Sequence, residues 1–186
     1  MSNNVFFNRL FPCLSNENGS TWSQSTPFVP SSYRLTEKEI FMLGNVWRRV
    51  QPDLAQIGKI MFVRMFVDRP DVKNVFEKFK NMSIEQIKED ITTEVHALVI
   101  MTALDDVICS LDEGHETVEV LLHEQGNAHF NFNPNIKDHM FLAMENAFVD
   151  AVKSKVEMKV PTERLMRKVM RYILTNIIIG YSKAYK

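Results

Sequence analysis

Apolar residues return every three or four positions along most of the chain, the spacing of one buried helix face. Thr36 and Glu39 have the spacing of a capping box, and Ile40, Leu43, Val46, Trp47 and Val50 follow at helical intervals up to Pro52. A second helix is predicted over about 53–68, striped by Leu54, Ile57, Met61 and Met65, widened by Phe62 and Phe66, and stopped by Pro70. Gly58 sits inside it, where glycine costs about 1 kcal/mol against alanine, so close approach of another helix is expected there. Residues 71–81 read as a tight turn or short helix. A second capping box, Ser83 with Gln86, opens what reads as one long helix to about Leu111, ended by Asp112-Glu113-Gly114. A shorter helix carries Val118, Leu121, Leu122 and His129, and residues 131–135 with Pro134 read as a loop. Two long helices follow, about 136–156 and 162–185, parted by Pro161. No alternating strand pattern and no repeat appears, so the predicted class is all-α.

Residues 1–34 break this pattern. The stretch from Ser15 to Arg34 is rich in Ser, Asn, Thr and Pro and reads as a flexible extension ahead of one domain over 35–186. Phe6, Phe7, Leu10 and Phe11 have the composition of a short docking motif, and Cys13 beside them offers a palmitoylation site and a route to membrane association. Ser2 excludes N-myristoylation.

Composition narrows the classes. A chain of 186 residues with 45% hydrophobic and 24% charged residues can build an ordinary core without disulfides or a structural metal. Basic and acidic side chains nearly cancel, for a net charge of −1, which gives no nucleic-acid footprint. Two cysteines are too few for a disulfide framework or a thiolate zinc site. The densest apolar run, Ile177 to Ile179, is flanked by polar residues, so no transmembrane segment is expected. A cytoplasmic protein is the expected setting.

Few residues offer chemistry. His96 projects from a face otherwise made of Val99, Ile100, Ala103 and Val107, and His129 shares a face with Leu122, Gln125 and Gly126. A buried neutral imidazole must find a partner for at least one nitrogen. His115, His123 and His139 lie among charged or loop residues and are expected to be exposed. Cys109 reads as a small buried hydrophobe, and Asp105-Asp106 as a solvated acidic pair. No HExxH, no glycine-rich phosphate loop and no calcium-loop spacing is present, so no enzyme signature emerges.

Taken in order, these markers resemble a globin over about residues 35–186. LTEKEIFMLGNVW is similar to a globin first helix with its tryptophan, Trp47. Gly58 fits the crossing of the second and distal helices, and Pro70 precedes Phe76 by six residues. FEKFK resembles the family's haem-contacting corner, His96 falls 20 residues past Phe76 near the distal histidine, and EQGNAH places His129 as the proximal ligand. The extended N-terminus resembles those of invertebrate, nematode-like or neural members. Gln125 departs from the family, which usually has Leu there against the haem.

The resemblance implies a fold of six to eight helices around haem b, with His129 on the iron and its other N–H given to a backbone carbonyl. Phe62, Phe76, Val99 and Ile100 would form the distal wall. Leu122, Gln125, Ile136, Phe141 and Met144 would complete the pocket, with Lys78 meeting a propionate. His96 would either donate a hydrogen bond to bound O2, NO or CO or ligate iron itself as a second metal ligand. The implied function is reversible binding of a diatomic gas in oxygen binding or transport, redox signalling or oxygen sensing. Two alternatives stand: a bis-histidyl electron-transfer globin, and a haem-free globin-fold interaction or sensor module, which Gln125 favours. A reductase or signalling partner and a homodimer are the protein partners left open.

Overall fold

The computed structural model describes residues 31–184, and among these the regular structure is α-helical with short 3₁₀ turns. The docking motif around Phe6 to Phe11, Cys13, and residues 15–30 of the extension lie outside the described residues. A 3₁₀ turn, Ser31–Tyr33, precedes the Thr36 cap. Next to it, Arg34 forms a bidentate ion pair with Glu119 at 2.9 Å, and Leu35 is buried.

The capping box at Thr36 forms in full and opens α1, Glu37–Val50. Its buried face carries Leu43, Val46, Trp47 and Val50. The Trp47 indole N–H donates to Asp105 at 2.6 Å, and its ring stacks on Phe148 with centroids 6.3 Å apart. After a 3₁₀ turn at Gln51–Asp53, α2 runs over Leu54–Asp68 and buries Ile57, Met61, Phe62, Met65 and Phe66. Full burial of each such side chain contributes about 1.5–3 kcal/mol. The single-turn α3, Pro70–Lys73, and a series of turns carry the chain to the Ser83 cap of α4, Ile84–Glu89.

The helix expected to run unbroken from Ser83 to Leu111 is two helices. Asp90 adopts an extended backbone (φ −77, ψ 122), and its carboxylate accepts from the Thr92 N–H at 2.7 Å, capping a new helix, α5, Ile91–Cys109. This capping bond, together with an ion pair to Lys78, stabilises a break that apolar periodicity alone does not show. Gly114 makes the following corner at φ +117, a conformation that suits glycine. Then come α6, His115–Phe132, α7, Asp138–Lys153, and α8, Val160–Lys183. The loop expected from 131 therefore starts two residues later than predicted, because α6 keeps its hydrogen bonds through Phe132 and Asn133.

In the packed structure, α2 lies against both α5 and α7, and α8 against α6 and α7. Gly58 is where α2 meets α5: a Cβ there would lie 2.7 Å from Met101 Cγ and 3.0 Å from the Ala97 carbonyl.

Three expectations about single residues are corrected. Cys109 is exposed, with Sγ 3.7 Å from the Asp105 carboxylate, because it lies at the helix end on a polar edge. Partial burial and the nearby carboxylate push its thiol up to about 11. Asp105 is not a merely solvated acid, since it accepts from both Trp47 and Gln51. His115 and His123 are partly buried rather than exposed, while His139 is exposed as expected. His115 bridges Tyr172 at 3.1 Å and the Leu35 carbonyl at 2.8 Å.

Candidate functional site

The candidate ligand His129 lies on α6. Leu122, Gln125, Gly126 and His129 share one face, and the first three are buried. His129 Nδ1 lies 2.7 Å from the Gln125 carbonyl oxygen. A carbonyl can only accept, so Nδ1 carries the proton and the Nε2 lone pair is left available as a metal donor. Burial pushes the His129 pKa down, partly offset by this backbone bond, so the ring is neutral at pH 7. Phe141 of α7 meets the imidazole edge-on, with centroids 5.5 Å apart at 70°. Tyr181 of α8 meets Phe141 at 5.3 Å, and its hydroxyl donates to the Asn133 carbonyl at 3.0 Å while accepting from the Ile136 N–H at 2.9 Å. Ile136 is thus held at the α6–α7 corner, and Met144 packs partly buried against the core one turn beyond Phe141.

His96 lies on α5, whose start is fixed by Asp90. His96 packs edge-on against Phe62 at 5.1 Å and Phe76 at 5.7 Å, and those two rings meet each other at 5.9 Å. Phe66 and Phe79 extend the aromatic cluster behind Phe76. Val99 and Ile100, both half-buried, continue the His96 face. Burial lowers the His96 pKa, with a smaller contribution from His129. Edge-to-face aromatic packing of this kind fixes ring orientation and adds about 0.5–1.5 kcal/mol per pair.

Lys78 is exposed at the corner before α4 and forms an ion pair with Asp90 at 2.8 Å, with Thr92 as a further partner. The pair lowers the Asp90 pKa and ties the Phe76 corner to the first turn of the helix bearing His96. Gln125 is only 7% exposed, and its side-chain Nε2 has no hydrogen-bond partner. Its backbone carbonyl supports His129, while its amide sits unpaired in a buried position. A separate open groove beside α2 and α4, floored by Ile60, Val63 and Val67, contains none of these residues.

Sequence reading did not single out Asp90, Tyr181 or Gly180 as part of the site. Asp90 had a local signal, an Asp before a run of β-branched residues. The other two act through contacts across the fold.

The family profile described as Globin matches residues 59–177. Myoglobin of Mustelus antarcticus is 24% identical over 144 residues, covering 76% of this chain and 93% of that protein. Cytoglobin-1 of Oryzias latipes is 31% identical over 96 residues, 51% of this chain and 54% of that one. The solved structure of a hexacoordinated heme protein from an anhydrobiotic tardigrade, at pH 4, superposes with a TM-score of 0.74 at 24% identity, covering 83% of this chain and 99% of that one. Hemoglobin from the botfly Gasterophilus intestinalis gives a TM-score of 0.71 at 16% identity, covering 82% and 100%. The structural likenesses carry the fold, and the profile match spans well over half of the chain. The chain belongs to the globin family.

Proposed function

We propose that this globin holds haem b through His129 and reversibly binds a diatomic gas, O2, NO or CO, on the His96 side. The observation that carries the reading is the hydrogen bond from His129 Nδ1 to the Gln125 carbonyl, which leaves Nε2 as an oriented, neutral donor. Among the described residues there is no cluster of three His, Cys, Asp or Glu side chains able to hold a bare ion. A neutral imidazole donor outside any such cluster suits a metal that brings its remaining ligands with it. Haem would supply that iron and with it the affinity for a diatomic gas.

The chain's own residues do the rest. Phe62, Phe76, Val99, Ile100 and Phe141 provide apolar walls that exclude water, and Leu122 packs on the proximal side. His96 offers an N–H to a polar diatomic ligand. A second reading makes His96 a displaceable sixth ligand, in a bis-histidyl protein suited to redox signalling, sensing or electron transfer. That reading needs a neutral His96 ring, which burial favours, since only the neutral ring can donate to a metal. Gas would then bind only to the fraction with His96 released, and apparent affinity would fall by that fraction.

Reconstitution of the full chain with haemin tests both readings. A Soret band that is lost in His129→Ala supports haem held at His129. Folded protein that takes up no haemin overturns it and leaves the haem-free module, which the unpaired Gln125 amide favours.

A further inference from the structure

We propose that Gly126 and Gly180 are positioning residues for the iron ligand: they let α6 and α8 touch backbone to backbone, and this contact fixes how His129 projects. The inference rests on the reading of His129 as the haem ligand. Gly126 lies three residues before His129 on the buried face of α6. A Cβ at Gly126 would lie 2.0 Å from the Ile177 carbonyl oxygen, 2.4 Å from the Tyr181 nitrogen and 2.8 Å from the Gly180 carbonyl carbon. A Cβ at Gly180 would lie 2.1 Å from the His123 carbonyl oxygen and 2.5 Å from its Cα.

All of these neighbours are backbone atoms, so no side-chain rotation relieves the clash. Cβ atoms essentially never approach closer than 3.0 Å, so a methyl group at either glycine must push the helices apart by about 1 Å. Gly58 differs, because its nearest neighbour is a side-chain atom, Met101 Cγ at 2.7 Å, and the backbone of Ala97 comes no closer than 3.0 Å. Gly44 has nothing within 4 Å.

The same stretch of α8 also holds the chain beyond His129. Tyr181 binds Asn133 and Ile136 through its hydroxyl, and its ring backs Phe141, which meets the His129 imidazole. His129 is therefore seated from both sides by one segment of α8. Shifting α6 at Gly126 while Tyr181 holds the corner must tilt the ligand rather than translate the whole site.

The test uses haem-reconstituted full-length protein carrying Gly126→Ala, Gly180→Ala or, as control, Gly44→Ala. Helical circular dichroism checks folding. The readout is electron paramagnetic resonance of the ferrous nitrosyl form, whose hyperfine pattern reports whether the histidine opposite NO stays bound. The expected result is a six-coordinate pattern in the parent and in Gly44→Ala. Both crossing variants should shift toward five-coordinate nitrosyl and lose haem to an acceptor protein roughly 10–100-fold faster.

A His129→Gly background supplied with free imidazole separates positioning from general packing. There the ligand is no longer tethered to α6, so adding Gly126→Ala should leave the nitrosyl spectrum unchanged. The proposal is overturned by unchanged nitrosyl spectra in both crossing variants, by an equal change in the imidazole background, or by failure of both variants to fold. Parent protein that binds no haemin overturns the His129 reading itself, and the proposal with it.

Discussion

The Nδ1 of His129 lies 2.7 Å from the carbonyl oxygen of Gln125, one turn earlier on the same helix. Through this bond the helix backbone sets both the tautomer and the direction of the imidazole. A change of side chain at Gln125 therefore leaves the orienting bond in place. Gln125 has two separable parts: its carbonyl holds the His129 ring, while its side-chain Nε2 is buried without a partner.

Replacing Gln125 by Leu should raise the stability of the haem-free protein. Removing a buried unsatisfied polar group returns about 1–3 kcal/mol. Urea unfolding monitored by circular dichroism measures this, and a clear loss of stability would mean that the amide has a partner in solution.

His96→Leu should keep haem bound, because His129 is untouched. If His96 donates to the bound gas, O2 release should accelerate by roughly one to two orders of magnitude, the equivalent of a charge-assisted hydrogen bond. If His96 ligates the iron, the resting spectrum should change from six- to five-coordinate instead. Stopped-flow ligand kinetics with visible spectra tests this, and a variant matching the parent in both measurements would remove His96 from the site.

Stability of the haem-free protein should depend on pH through its buried histidines. The pKa values of His96, His123 and His129 are lowered, each chiefly by burial. The unfolded chain, whose histidines titrate near 6.5, then binds more protons than the folded one just below that pH. The stability these neutral rings allow is complete above about pH 6.5 and is lost as pH falls through the folded-state values. Each histidine can contribute a slope of up to about 1.4 kcal/mol per pH unit. Urea midpoints between about pH 5 and 8 check it, and a flat profile across that range would contradict the burial of these rings.

Much of the scaffold was readable from local signals. The boxes at Thr36 and Ser83 cap helices as their side chains require, and Pro70 and Gly114 mark corners. The break at Asp90 is hidden in the sequence because the apolar pattern continues through Ile87 and Ile91, and a single capping carboxylate decides it. The partial burial of His115 has no local signal because its partners, Tyr172 and Leu35, lie 57 and 80 residues away. Charged neighbours in sequence said nothing about that pairing. At the candidate site, order and spacing along the chain single out His96 on α5 and His129 on α6. The Gly126–Gly180 crossing was not, because α6 and α8 meet only through tertiary packing.

The most direct measurement is the visible absorption spectrum of the purified full-length protein, reconstituted with haemin and reduced anaerobically. Histidine-ligated ferrous haem that shifts on adding CO, and that is lost in His129→Ala, is the predicted result. A well-folded protein that shows no Soret band, or one whose Soret band survives unchanged in His129→Ala, would contradict the account.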